Sequence, residues 1–254
     1  PNMNLAAQAL GYTNDAGKGL IGVEKAFQDR LSDPVKRAEP LVLALDVRVQ
    51  QAMQNELAAL ITDQNAKGAA GVVMDVNSGE VLAMVSLPDF NPNAPGQRAD
   101  GTKYTTENDD GSRFNRVTLG GYELGSTFKA FTIATALETG VLTNLQKQYD
   151  ATRPIEMGGF RIRDDHAKNR WLSVPEIFMY SSNIGTARMA LEVGRDRQRD
   201  YLEKLGFMKP LEFELQEKAR PQSPSLSNWG QLATMTISYG HGLTVTPLHL
   251  ANGY

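Results

Sequence analysis

The chain has 254 residues, with 26 Lys and Arg against 29 Asp and Glu, a net charge of −3 at pH 7. This mildly acidic balance excludes a nucleic-acid binder that works by bulk charge. The absence of cysteine excludes disulfides, thiolate nucleophiles and Cys-based zinc sites. Apolar residues make up 41% and charged ones 22%, as in ordinary globular proteins of one to two domains.

No apolar run approaches the roughly 18 residues that a membrane-spanning helix needs. The longest, Leu41–Leu45 and Ala130–Leu137, have the length of core elements. There is no signal-peptide pattern at the start. The chain opens at Pro1 and stops at Tyr254 inside an apolar stretch, so it reads as a piece of a longer protein.

In chain order, a short helical pattern covers Val23–Leu31, and the polar, proline-bearing stretch Ser32–Pro40 reads as a linker. Leu41–Leu45 is predicted as a short strand. Val49, Met53, Leu57, Leu60 and Ile61 recur at spacings of three and four, which predicts an amphipathic helix over Arg48–Ile61. Ala69–Val76 and Glu80–Leu87 are apolar, β-branched runs joined by Asn77-Ser78-Gly79, a hairpin signal. Pro88–Gly111, rich in Pro, Gly, Asp and Asn, is predicted as a long surface loop, and such loops often carry function. Ser126–Thr139 reads as a helix stopped by Gly140. Further helical patterns cover Val174–Tyr180, Gly185–Val193, Arg195–Leu205, Trp229–Ser238 and Pro247–Asn252, with a turn-rich loop at Pro221–Ser227. A helix, a hairpin and then mostly helices predict an α+β or three-layer domain from about residue 41 onward.

The stretch that carries chemistry is Gly125-Ser126-Thr127-Phe128-Lys129, a Ser-x-x-Lys at the start of a predicted helix. Residues three apart share a helix face, so the Lys129 amine can reach the Ser126 hydroxyl. A serine is a poor nucleophile until a base takes its proton. A lysine serves as that base when burial depresses its pKa. The first turn of a helix also offers unpaired N–H groups to a developing oxyanion. By composition, Ser-x-x-Lys is expected roughly 0.5 times by chance in a chain of this make-up. Alone, it reads more readily as a capping serine beside a surface lysine. A second short element, Ser181-Ser182-Asn183, falls where two helical patterns meet. There a Ser181 hydroxyl can relay a proton, and the Asn183 amide can hold the lysine and a substrate carbonyl.

Other chemistries fit less well. Gly120-x4-Gly125-Ser126-Thr127 nearly matches a phosphate-binding loop, but Ser126 stands where that loop needs its lysine. His166, His241 and His249 lie far apart in sequence and form no metal-ligand pair, and Arg163-Asp164-Asp165-His166 reads as a solvated turn. No metal and no cofactor are expected.

Ser126-Thr127-Phe128-Lys129 and Ser181-Ser182-Asn183, in this order, resemble the first two motifs of the penicilloyl-serine transferases. Asp75–Met84, Asp89-Phe90-Asn91-Pro92-Asn93 and Phe114-Asn115-Arg116 are similar to the run before the nucleophile in class B penicillin-binding proteins. Ser238–Leu248 is similar to that family's later Gly-x-Gly…Thr-Pro-Leu segment. Leu10–Thr13 and Gly22–Phe27 are similar to the piece ahead of its transpeptidase domain. The resemblance covers nearly the whole chain and is closest to the division-specific, FtsI-type subgroup. Two features depart from the pattern. The family's third motif, Lys-Ser/Thr-Gly, is absent, and Ser32–Pro40 is shorter than usual.

The resemblance implies an α+β, three-layer penicillin-binding/serine β-lactamase-like transpeptidase fold, incomplete here, with a remnant of an N-terminal non-catalytic domain. Residues 1–40 would belong to a pedestal or dimerisation region and linker, and 41–254 to the transpeptidase domain. The implied activity is D-Ala-D-Ala transpeptidation, making 3–4 cross-links in septal peptidoglycan. Catalysis would fall to Ser126, Lys129, Ser181 and Asn183, and substrate binding to Gly125, Thr127 and Ser182. Implied partners are peptidoglycan stem peptides, β-lactam antibiotics and a division glycosyltransferase, with no nucleic acid. The parent protein would be anchored by one helix in the bacterial inner membrane, with this part in the periplasm. Without the third motif, this chain alone is expected to acylate weakly or not at all. The alternative is a β-lactam sensor or non-catalytic module of the same fold. A serine β-lactamase fits less well, because no motif announces a group to activate the deacylating water.

Overall fold

In the computed structural model, residues 4–97, 101–105 and 109–254 are described. The chain divides into two compact units. The first comprises residues 1–121, 210–219 and 246–254, and the second residues 122–209 and 220–245. The fold class is α+β.

The first unit opens with three short helices, α1 (Ala7–Leu10), α2 (Gly22–Ala26) and α3 (Gln28–Ser32), followed by the long helix α4 (Val47–Asp63). Asp46 starts α4 by accepting the Arg48 N–H at 2.8 Å, which satisfies one of the orphan donors of the first turn. Strands β1 (Ala69–Met74) and β2 (Val81–Leu87) form the expected antiparallel hairpin, with Ala69 opposite Leu87 and a bulge at Val73/Met74. Asp75 Oδ1 accepts the N–H groups of Asn77 and Ser78 in its turn. Gly79 closes that turn at φ 75°, which glycine adopts without steric cost.

Helix α4 lies against this hairpin where Gly71 leaves room. A Cβ on Gly71 would sit 2.6 Å from Met53 Sδ and 2.9 Å from Leu57 Cδ1. Buried Gln50 behaves as a third strand in miniature. Its amide donates to Met84 O and accepts from Met84 N, both at 2.8 Å. Ala6, Ala9, Met84, Val117, Leu215 and Leu248 form the core of this unit, and the last helix, Pro247–Gly253, packs on β1.

The run Leu41–Leu45, expected as a strand, joins no sheet. It borders an apolar groove of about 620 Å³ also lined by Phe27, Met74 and Leu211, and Val42 is 86% exposed. Apolar composition alone suggested a strand, but no neighbouring strand accepts its backbone. The Val23–Leu31 pattern is split at Phe27 into α2 and α3. The expected loop 88–111 includes 98–100 and 106–108, which lie outside the described residues. Its described part holds an isolated bridge between Gln97 and Lys103.

The second unit begins with the two-residue strand β3 (Tyr122–Glu123), a 3₁₀ turn over Gly125–Phe128, and helix α5 (Lys129–Glu138). Strands β4 (Gln148–Asp150), β5 (Ile155–Met157), β6 (Phe160–Ile162) and β7 (Trp171–Ser173) follow, paired antiparallel as β4 with β7 and β5 with β6. Helices α6 (Val174–Met179), α7 (Asn183–Val193), α8 (Arg195–Lys204) and α9 (Gln231–Ser238) come next, and β8 (Thr244–Val245) pairs with β3. A capping box of Ser173 and Glu176 starts α6.

Helix α7 packs against both α5 and α9. Its buried face joins Leu142, Leu172, Ile177, Ile184 and Met189 in one core. Phe128, Phe131 and Phe207 form a three-ring cluster with centroids 4.9–5.4 Å apart. These contacts fix α5 and the α6–α7 corner, the two places that carry the sequence motifs.

Candidate active site

Ser126 lies on the 3₁₀ turn that leads into α5, with its side chain exposed, and Lys129 is the first residue of the α-helix proper. The turn is held from the β8 side. Gly125 N–H donates to Gly240 O at 3.1 Å, and Glu123 Oε1 accepts the Gly242 N–H at 2.6 Å. Gly240, at φ 86°, passes so close that a Cβ there would stand 2.1 Å from Gly125 O. Thr127 Oγ1 donates to Leu124 O at 2.7 Å, tightening the same turn.

Lys129 is only 1% exposed, and its Nζ meets three oxygens. It lies 2.9 Å from Ser126 Oγ, 2.8 Å from Ser181 Oγ and 2.7 Å from Ser181 O. Ser181 Oγ in turn donates to Ser126 Oγ at 2.9 Å. The two hydroxyls and the amine therefore form a closed triangle. Burial pushes the Lys129 pKa down from 10.5 to about 8, against the smaller opposing pull of the Asp164 and Asp165 carboxylates. Near neutral pH a useful fraction of Lys129 is thus free amine, able to accept the Ser126 proton.

Ser181 has φ 54°, a left-handed conformation unusual for a non-glycine residue. It closes the corner between α6 and α7, and its N–H donates to Phe178 O at 3.1 Å. Ser182 is 1% exposed. As N-cap of α7 it accepts the Gly185 N–H at 3.0 Å and donates to Asp164 Oδ2 at 2.7 Å. Asn183 is half-buried, and its amide donates to Arg163 O at 3.0 Å. The structure therefore brings Ser126, Lys129 and Ser181 into mutual contact. It anchors Asn183 to the loop at Arg163 and turns the Ser182 side chain inward, into the helix cap.

Sequence reasoning passed over Asp164, which accepts bonds from both Ser182 and Ile184. In the sequence alone, the Arg163-Asp164-Asp165-His166 run reads as a solvated turn. Among the described residues, no group of three or more His, Asp or Glu side chains is placed to hold a metal ion. His249 caps the last helix through Thr246, and His241 stands against the Tyr239 ring.

A family model described as the penicillin binding protein transpeptidase domain matches residues 69–254. The chain belongs to this transpeptidase domain family. Curated members include "Probable peptidoglycan D,D-transpeptidase FtsI" of Caulobacter vibrioides, 41% identical over 251 residues, which cover 97% of this chain and 40% of that protein. Peptidoglycan D,D-transpeptidase FtsI of Escherichia coli is 29% identical over 276 residues, covering 100% of this chain and 45% of that protein. The chain thus spans less than half the length of either relative. Among solved structures, Pseudomonas aeruginosa PBP2 in complex with WCK 5153 shares the fold, with a TM-score of 0.80 and 23% identity over 99% of this chain and 62% of that one. The match to the transpeptidase family covers every residue of the Ser126, Lys129 and Ser181 triangle. No helix among the described residues is long and apolar enough to cross a membrane.

Proposed function

We propose that this family member carries the active site of a serine acyl-transferase that cross-links peptidoglycan stem peptides during septal wall synthesis. The observation that carries the reading is the triangle of Ser126 Oγ, Lys129 Nζ and Ser181 Oγ, with edges of 2.8–2.9 Å around a buried lysine. In the proposed reaction, Ser126 Oγ attacks the carbonyl between the two terminal D-Ala residues of a donor peptide. Its proton passes to the Lys129 amine. Ser181 relays a proton to the departing D-Ala amine as the peptide bond breaks, leaving an ester on Ser126. An amine of a second strand then attacks that ester, forms the new 3–4 peptide bond and returns a hydroxyl to Ser126.

Asn183, fixed by Arg163, orients the substrate, and Gly125 and Thr127 border it. Ser182 contributes by holding the corner. No metal or organic cofactor enters these steps. β-Lactams would be trapped as slow esters on Ser126. We further assign residues 1–40 to an N-terminal pedestal and linker and 41–254 to the transpeptidase domain. The whole protein is assigned one inner-membrane helix, with this part in the periplasm and a division glycosyltransferase as partner.

The test is intact-mass spectrometry of the full-length protein after incubation with a penicillin. One adduct is expected, mapping to Ser126 and absent from Ser126→Ala. An adduct elsewhere, or none on folded protein, overturns the reading. Product analysis with a D-Ala-D-Ala donor and an amine acceptor then separates an enzyme from a sensor, since only the enzyme releases D-Ala and forms the cross-linked peptide.

A further inference from the structure

Ser181 supplies two of the three oxygens on Lys129, yet it sits in a left-handed conformation that an L-residue keeps only when its surroundings enforce it. The enforcement is visible one residue on. Asp164 Oδ2 accepts the Ser182 hydroxyl at 2.7 Å, and Asp164 Oδ1 accepts the Ile184 N–H at 2.9 Å. The adjacent Arg163 carbonyl accepts the Asn183 amide at 3.0 Å. Residues 182, 183 and 184 are therefore each pinned by the 163–164 segment.

We propose that Asp164 is a positioning residue: its carboxylate locks the first turn of α7, so that Ser181 presents its carbonyl and hydroxyl to Lys129, and its charge helps to hold the proton on that lysine. The inference rests on the proposed roles of Ser126 and Lys129 and deepens them. With its single proton committed to Asp164, the Ser182 hydroxyl has its lone pairs aimed at the Gly185 N–H. Without the carboxylate, that hydroxyl is free to turn and the Ile184 N–H loses its acceptor. The peptide joining Ser181 to Ser182 is then no longer fixed, and both Lys129 contacts made by Ser181 shift with it.

The charged groups acting on Lys129 are Asp164 and Asp165, both from the loop before β7. From the Ser126 turn and the α6–α7 corner it meets hydroxyl and carbonyl oxygens. Both carboxylates favour the ammonium, and burial opposes them. One residue thus combines a geometric hold with an electrostatic one, and the two can be separated by substitution.

Asp164→Asn keeps the side-chain length but removes the charge and one of the two oxygens that accept from Ser182 and Ile184. Asp164→Glu keeps the charge and displaces the carboxylate by one methylene. Each full-length variant is followed by penicillin acylation across pH 6–10 and by NMR titration of ¹³Cε-labelled Lys129. We expect the acylation plateau to fall about 10- to 100-fold in both. The titration midpoint should move to lower pH in Asp164→Asn and stay in place in Asp164→Glu. An Asp164→Asn plateau equal to wild type, or a midpoint unmoved in that variant, overturns the proposal. If Asp164→Asn fails to fold, Asp164→Glu decides the matter: its plateau must fall at a wild-type midpoint. The NMR midpoint needs no acylation. Absence of any Ser126 ester in wild type would therefore defeat the proposed function, while the titration still judges the hold of Asp164 on Lys129.

Discussion

The sharpest consequence of the site concerns the protonation of Lys129. Only the free amine can accept the Ser126 proton, and burial sets its pKa at about 8. The fraction in that form is about 1% at pH 6, about 10% at pH 7 and about half at pH 8. If proton transfer from Ser126 limits acylation, the second-order rate constant should climb about tenfold from pH 6 to 7. From pH 7 to 8 it should climb about fivefold, and beyond pH 8 by no more than about twofold in all. A suitable assay is stopped-flow or quenched labelling of the full-length protein with a fluorescent penicillin at fixed ionic strength. Lys129→Arg retains the positive charge but cannot give up a proton at these pH values, so its rate should fall by about 10³ and lose the pH limb. A wild-type profile flat between pH 6 and 8, or an arginine variant that follows the same limb, would show that Lys129 is not the base.

The same shift has a consequence for stability. Because the folded pKa of Lys129 lies below the unfolded value of 10.5, the unfolded chain binds the proton more tightly. Burying the charged lysine costs about 3 kcal/mol below pH 8, and that cost fades as pH rises toward 10.5. Relative to Lys129→Met, wild type should gain stability over that window in urea titrations. A constant difference between the two proteins would contradict the depressed pKa. Gly240→Ala forces a Cβ against the Gly125 backbone at a positive φ, so we expect a loss of about 2 kcal/mol or more, read by urea unfolding, together with loss of penicillin labelling. Gln50→Ala removes the partner of both Met84 backbone groups and should destabilise by about 2–4 kcal/mol in the same measurement, with Ser126 labelling rates unchanged.

What the residues disclose in advance depends on how local the interaction is. Helix α4 and the β1–β2 hairpin repeat their pattern over several turns or alternations, and the periodicity of Arg48–Ile61 and of the two apolar runs captures them to within a few residues. Strands β3 and β8 have two residues each and β4 to β7 three, too few to show any period, and none was foreseen. Leu41–Leu45 misled in the opposite direction, since its apolar character serves a groove wall and not a sheet. In the site, the Ser126 and Lys129 contact follows from a spacing of three on one helical turn and is visible in the sequence. The contact with Ser181 spans 55 residues, so no local spacing predicts it; the residues offered Ser181 as a candidate relay, and the family resemblance made it an expectation. Asp164 escaped notice because its role exists only once the loop before β7 meets the start of α7.

The site works by balancing two opposed tendencies on one nitrogen. Three oxygen acceptors around Lys129 Nζ match the three hydrogens of an ammonium, and two carboxylates nearby favour the same state. Near-complete burial of the side chain favours the neutral amine. Were burial to act without those oxygens and carboxylates, the lysine would be neutral throughout the physiological range and a weak base. Were the charges to act without burial, it would stay protonated and unable to take the serine proton. A pKa of about 8 is the outcome of both, and it leaves the nitrogen able to accept a proton from Ser126 and then to surrender it through Ser181. Because Ser181 makes two of the three contacts, the backbone conformation of the α6–α7 corner fixes which oxygens face the amine of a group on α5.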